Sequence, residues 1–470
     1  MNKKYFCASW LLLCGLLFCA GSALAEIKGD YGGSVRFRQE YIKNGSDLSL
    51  KGKPERDFFR LRSSLWGKVD FTDNIGIYGR LVNEAKYYFG SYKPFETHDN
   101  TSDSSRFDPD ELIIDNLYFE VKNIFNLPLD IRIGRQDFKG MYGEGFLIHH
   151  GTPGDGSRTA YFDALKATWR FNENHSLDLI YINNRQRDDH LPSLYPARSN
   201  SLDGYVNNRR LLNISDEQAF VIYGKNRIHP HFTIEPYYIY KHEDRIGDYY
   251  HDLHGPLGPL SDLSLNTVGA RIAYKTDMWY IRAEWAEQFG KYDDDRKRQG
   301  NGGYVFVSQK FANIDWKPEW EIGYVRLSGD DPNTDKHEGW NPLFSRAPLL
   351  NEVFAYLYMN EAMSDGGPIP FYWTNLHLFK LGFTIWPTLK TKVNLFYEYL
   401  KAVEKTKRPG DKVLSNASKD RGHLIHFAAD YFFTEKFDVG IMTEYFIPGG
   451  FYNSGAKNSL YFQWEFKFKF

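Results

Sequence analysis

The last residues of the chain leave few folds open. Leu460, Phe462, Trp464, Phe466, Phe468 and Phe470 alternate with Tyr461, Gln463, Glu465, Lys467 and Lys469. A side-chain period of two means an extended strand, and here one face is apolar throughout while the other is mostly polar. Such a strand separates two different media.

The pattern recurs along the chain. Val35 and Phe37 alternate with Arg36 and Arg38, and Phe59, Leu61 and Leu65 alternate with Arg60 and Arg62. Leu165, Ala167 and Trp169 alternate with Lys166, Thr168 and Arg170, and Ile425, Phe427, Ala429 and Tyr431 flank His426 and Asp430. Short turns are expected near 72–74, 123–128, 172–174, 225–231, 276–277, 313–318, 387–388 and 434–436. Between them fall longer polar loops near 42–56, 87–110, 138–162, 184–217, 241–265, 290–301, 328–374, 401–422 and 447–458. Short turns on one side and long loops on the other are the asymmetry of a transmembrane barrel. The reading is all-β: one transmembrane antiparallel β-barrel over residues 26–470, of about eighteen strands with sixteen as the alternative. The turn at Thr434–Lys436 is too short to supply a periplasmic plug.

The N-terminus agrees on compartment. Lys3 and Lys4 precede an apolar run from about Trp10 to Ala20, and Ala23-Leu24-Ala25 follows. That order predicts a secretory leader over 1–25, cleaved after Ala25. Cys14 and Cys19 lack the small preceding residue that lipid attachment wants, having Leu13 and Phe18 instead. Cys7, Cys14 and Cys19 are the only cysteines, so the processed chain has no disulfide, thiolate metal site or cysteine nucleophile. The expected destination is the outer membrane of a Gram-negative cell, in contact with lipid and lipopolysaccharide. The terminal Phe470 resembles the signal read by the barrel-assembly machinery.

Composition fits this. Aromatic residues make 17% of the chain, as interfacial girdles require, yet the mean hydropathy is −0.53. Only alternate residues of a barrel strand meet lipid, which reconciles the two. A formal net charge of −2 gives no global field for nucleic acid. A barrel of this size keeps an aqueous lumen unless loops fold in. The architecture therefore points to a conduit.

If the apolar parity meets lipid, the other parity lines the pore. That places Arg36, Arg38, Arg60, Arg62, Arg80, Arg132, Lys166, Arg170, Arg271 and Arg282 inside, with Glu40, Glu84, Glu120, Glu284 and Glu398. Arg135 falls on the opposite parity to Arg132 unless Gly134 marks a bulge. Two readings stand side by side. The arginines form a web of ion pairs that stiffens the wall, or they form a track for a carboxylate-bearing solute, which guanidinium groups bind bidentately. Tyr78 and Tyr118 on the same parity either stack on sugar faces or pack the wall.

Short motifs add a family resemblance. Ile131-Arg132-Ile133-Gly134-Arg135-Gln136 is followed by Tyr142-Gly143, by Arg158, and by Phe162-Asp163-Ala164. Ser328-Gly329-Asp330-Asp331-Pro332 and Asn341-Pro342-Leu343-Phe344 come later. In that order they resemble the alginate-export family of outer-membrane barrels. The resemblance implies an eighteen-stranded barrel with an arginine-rich pore for uronate polymers, and a periplasmic secretion complex as a partner. Loops 138–162 and 328–374 are the expected constriction elements, with Tyr142, Arg158, Asp330 and Asp331 as candidate residues. The apolar patch Leu349–Met359 wants burial inside the mouth.

Other signals are weak. Asp331, Asn333 and Asp335 have the spacing of a calcium loop, but Lys336 and Pro342 replace its glycine and terminal glutamate. No metal or cofactor is expected beyond that remote calcium option. His149 and His150 are adjacent and point apart on a strand. No nucleophile elbow, Walker loop or zinc-protease motif occurs. The expected function is a channel passing anionic sugars or polysaccharide. The alternatives are an uptake porin for small organic anions or oligosaccharides, a barrel enzyme, and an adhesin with a sealed lumen.

Overall fold

The computed structural model describes residues 27–45, 47–50, 55–89, 106–149, 156–158, 161–186, 188–192, 194, 213, 215–244, 261–345, 349, 351–357, 373–406, 413–415 and 417–470. The expected leader lies outside them. The first strands are β1 (Lys28–Lys43), β2 (Glu55–Thr72), β3 (Ile75–Phe89), β4 (Arg106–Asp108), β5 (Leu112–Val121), β6 (Leu129–Gln136) and β7 (Phe162–Arg170). Then come β8 (His175–Asn184), β9 (Glu217–His229), β10 (Phe232–Glu243), β11 (Leu263–Lys275), β12 (Trp279–Tyr292) and β13 (Lys297–Lys310). The last are β14 (Glu319–Leu327), β15 (Leu376–Thr388), β16 (Thr391–Lys401), β17 (Asp420–Thr434), β18 (Phe437–Pro448) and β19 (Ser459–Lys469). All strand-to-strand pairings among the described residues are antiparallel, and β1 pairs with β19 to close the sheet. β4 and β5 both pair with β3 and together make one stave, so the barrel has eighteen strands.

Closure satisfies every edge, which is the condition for strands to cross a bilayer. At the seam the backbones of Gly33 and Phe470 exchange reciprocal N–H···O bonds, both 3.1 Å. Phe37 stacks with Phe59 at 5.2 Å and meets Trp464 at 5.5 Å on the outer face, while Arg38 binds Glu465 at 2.8 Å on the inner face. The apolar terminal strand is thus the last stave, zipped to the first.

Turns at 73–74, 122–128, 171–174, 230–231, 276–278, 311–318, 389–390 and 435–436 close one end. The opposite connections are long, with one exception. The loop expected at 290–301 is a tight turn at 293–296, because β12 and β13 continue as a hairpin past their neighbours. His337 from the β14–β15 loop supplies the missing ladder partner: its N–H donates to Lys297 O and its carbonyl accepts from Gln299 N–H, both at 2.9 Å. Polar sequence alone did not show that a distant segment would pair there.

Side-chain parity follows the sequence pattern. Leu61, Leu65, Trp169, Leu381, Leu395 and Phe427 project outward and are exposed, whereas Arg36, Arg60, Arg62, Glu84, Lys241 and Glu398 are buried inside. Leu381 lies mid-strand at 57% exposure. Leu381→Arg is expected to cost about 2–4 kcal/mol in lipid-vesicle urea titrations, the cost of a cation at the bilayer midplane. A loss below about 1 kcal/mol would put that position near the interface.

The apolar core sits inside the barrel. Phe138, Phe146, Leu147 and Ile148 of the β6–β7 loop are buried there with Trp340, Leu343 and Phe354 of the β14–β15 loop. The inner wall from β7 through β19 contributes Phe162, Ile180, Tyr223, Phe306, Leu378 and Phe446 among others.

Candidate functional site

The inner face of the first three strands carries a lattice of guanidinium and carboxylate groups. Register sets Arg36 opposite Arg62 and Arg38 opposite Arg60 on β1 and β2, with Glu84 of β3 opposite Arg62. Glu84 binds Arg60 at 2.6 Å, Arg36 at 3.0 Å and Arg62 at 3.3 Å. Glu40 binds Arg60 at 2.7 Å and Arg38 at 3.2 Å. Each arginine finds a carboxylate, but Glu84 alone is shared by three of them. The Nε of Arg36 is buried without a hydrogen-bond acceptor.

The remaining basic residues named from sequence are also paired. Arg80 binds Asp115 at 2.8 Å and Asp137 at 2.7 Å, and Arg132 binds Glu120 at 2.8 Å. Arg135 is buried although it keeps the parity of Ile133, because the register of β6 runs unshifted through Gly134, which adopts φ 121°. A Cβ there would lie 2.4 Å from the carbonyl oxygen of Leu117, so only glycine fits. Arg135 then binds Asp163 at 2.9 Å and Asp188 at 2.5 Å. Arg158, within the β6–β7 loop, joins Asp188 and binds Glu111 at 2.5 Å. Arg170 differs from expectation. It pairs with Asp130 and reaches Asn123 at 2.8 Å at the turn-side rim, with a side chain 38% exposed, because β7 ends there.

The β6–β7 loop turns into the lumen at the Tyr142-Gly143 element. The Tyr142 hydroxyl donates to Asp178 at 2.9 Å, where Lys225 also binds at 2.9 Å and Lys166 stands at 3.6 Å. Burial pushes the Tyr142 phenol well above its usual range, reinforced by Asp178. Gly143 has φ 50°, and a Cβ there would stand 2.6 Å from Cδ of Arg271. This close approach brings Glu144 between Arg271 and Arg282, at 3.3 Å from each. Arg282 continues to Glu321 at 2.9 Å, and Lys380 binds the same carboxylate at 3.2 Å. With Glu235 of β10 bound to Arg271 at 3.3 Å, a belt of charged pairs thus crosses β10 to β15.

The β14–β15 loop meets this loop in the lumen through Asn341-Pro342-Leu343-Phe344. Ile148 and Phe344 form a parallel bridge, and Ser345 Oγ donates to Gly145 O at 2.9 Å. Gln288 clamps Asn341, accepting its N–H at 2.9 Å and donating to its carbonyl at 2.7 Å. Lys241, fully buried, donates to Leu343 O at 3.0 Å and binds Glu217 and Glu243 at 2.7 and 2.8 Å. Phe146 stacks on Trp340 at 5.2 Å and meets the edge of Trp373 at 5.5 Å. Lys241, Gln288 and Trp340 escaped the sequence reading. Lys241 has the inward parity of β10, but nothing local to it signals that a distant loop will cap it.

Asp330 accepts the N–H of Glu338 at 2.8 Å, and Asp331 accepts that of Asn333 at 2.9 Å, so both shape the start of the loop. His149 is buried in the loop packing, and His150 lies outside the described residues. Tyr78 and Tyr118 stack on each other at 5.1 Å, with Trp66 at 6.0 Å from Tyr78 and the Arg132 guanidinium 4.2 Å over Tyr118. Their faces thus cover one another.

Comparison with known proteins places this geometry. The barrel resembles OccAB2 of Acinetobacter baumannii, with a TM-score of 0.56 and 10% identity over 94% of this chain and 98% of that one. It also resembles OccK9 (OpdG) of Pseudomonas aeruginosa, with a TM-score of 0.55 and 11% identity over 94% and 98%. OccK3 (OpdO) of the same organism gives 0.51 and 11% over 95% and 96%. No match was found among curated protein sequences. The alginate export family profile matches residues 28–465, nearly the whole barrel, and the protein is accordingly an outer-membrane β-barrel porin that belongs to the alginate export family.

Proposed function

We propose that the barrel is a passive channel for anionic sugars or polysaccharide, with the lattice of β1–β3 as its cation-rich wall. The observation that carries this is the gathering of Arg36, Arg60 and Arg62 around one carboxylate, Glu84, on one side of the lumen. Guanidinium groups held in place by such sharing are preorganised for carboxylates. The same pairs also stiffen the wall, so the two readings of the arginines are complementary. Glu144, Tyr142 and Arg158 shape the passage from the loop side, and no cofactor takes part. Phe470 on the closing strand serves barrel assembly, the outer loops meet lipopolysaccharide, and a periplasmic secretion complex delivers or receives the cargo.

A second reading is a porin for small organic anions or oligosaccharides. The joint between the two inward loops supports it, because their packed aromatics occupy part of the barrel interior. Family and fold are channel types, and we propose no catalysis. Planar-bilayer conductance separates these readings. Anion-selective current blocked by mannuronate or guluronate oligomers is expected. Open current indifferent to uronates would replace the uronate reading with the small-solute one.

A further inference from the structure

One segment of the β14–β15 loop is attached to the wall in a different manner from the rest. A single helical turn at 352–357 docks between β1, β16 and β18. Asn351 Nδ2 donates to Glu398 of β16 at 2.6 Å. The N–H groups of Glu352 and Val353 donate to Glu444 of β18 at 3.3 and 2.8 Å, so this carboxylate caps the turn. Tyr356 OH donates to Glu40 of β1 at 3.1 Å. Each of these donors is uncharged, and each acceptor is a wall carboxylate. The one charged group that the turn adds is another carboxylate, Glu352.

The wall around Glu352 is mixed in sign. Arg38 and Glu40 face it from β1, Arg60 from β2, Glu444 from β18 and Tyr461 from β19. His426 of β17 is bound to Glu444 at 3.0 Å, and Glu398 lies behind Asn351. Glu40 belongs both to this dock and to the arginine lattice through Arg38 and Arg60. The turn therefore covers the cation-rich wall itself. Val353, Phe354 and Leu357 are fully buried beneath it, with Phe354 5.9 Å from Phe446.

We propose that the turn at 352–357 is a detachable latch over the arginine wall, held by Glu40, Glu398 and Glu444 and released when Glu352 ionises. This rests on the channel reading and adds its regulation. Desolvation pushes the Glu352 carboxyl up to about 7, Glu40 and Glu444 push the same way, and Arg38 and Arg60 oppose them. Undocked in water, the group returns to the ordinary carboxylate range. The docked state then holds the proton more tightly, so acid favours docking. That advantage is complete below the ordinary range and is lost as pH rises through about 7. Between pH 5 and pH 8 the docking equilibrium weakens by up to roughly 70-fold.

The test uses the full barrel in planar bilayers from about pH 5.5 to 8.5. Wild-type conductance is expected to rise as pH passes through about 7. Glu352→Gln mimics the protonated group and is expected to stay in the low-conductance state at every pH. In parallel, Val353→Cys is labelled with a charged maleimide, normalised to Leu389→Cys on a turn where that leucine is 85% exposed. Once the leader is removed, these are the only thiols. Labelling at 353 is expected to rise with conductance. Flat wild-type conductance, or a pH response retained in Glu352→Gln, would overturn the latch. Uronate block recorded at each pH keeps the two proposals apart. Lost block with the pH response intact overturns the cargo reading alone, and intact block with a flat response overturns the latch alone.

Discussion

Glu84→Ala is expected to destabilise the barrel by about 3–5 kcal/mol, the usual cost of stranding a buried charge by deleting its partner. Glu84 is fully buried, and its oxygens accept from Arg36, from Nε and Nη2 of Arg60, from Arg62, and from the N–H of Gly156 at 2.8 Å. Removing it leaves neighbouring guanidinium groups in mutual repulsion and frees one contact of the β6–β7 loop. Urea unfolding in lipid vesicles measures the loss. The same variant is expected to be more anion-selective in bilayers, since positive charge is uncovered. Glu84→Gln keeps the acceptor while removing the charge, and should fall between wild type and alanine in stability. A loss below about 1 kcal/mol for alanine would mean that lumen water and counter-ions solvate the arginines.

The second large effect is expected at the joint between the inward loops. Trp340 is fully buried, stacked on Phe146, with a Cβ on Gly302 excluded at 2.8 Å from its ring. Trp340→Ala empties that site and should weaken loop packing by about 3–5 kcal/mol. Lys241 and Gln288 would still hold Leu343 and Asn341, so the barrel keeps its strands while the loops loosen. Single-channel conductance is expected to increase, with little change in the far-ultraviolet circular dichroism of the barrel. Unchanged conductance would show that the joint does not narrow the path.

Much of the barrel was legible because lipid imposes a strict parity. Apolar residues at alternate positions of the terminal strand, and at Leu61, Leu165 and Phe427, fix which face meets hydrocarbon. The eighteen strands followed from counting turns, and the inward parity of Arg36, Arg60 and Arg62 followed from the cost of the opposite choice. The motifs carried information of a different kind. Gly134 and Gly143 stand where the backbone needs positive φ and close approach, so their chemistry is local and readable.

What the sequence could not show were partners set by closure and by inward loops. Arg38 and Glu465 lie at opposite ends of the chain, and only the seam between β1 and β19 makes them a pair. Whether an inward arginine faces water or a carboxylate depends on register between strands, which a period of two leaves undetermined. Lys241 beneath Leu343, and Glu444 beneath the turn at 352–357, depend on where a long polar loop comes to rest. Periodicity, turn residues and the apolar parity are local properties written residue by residue. Pairing across the lumen is set by the closed shape of the wall, and so it was decided only in the tertiary structure.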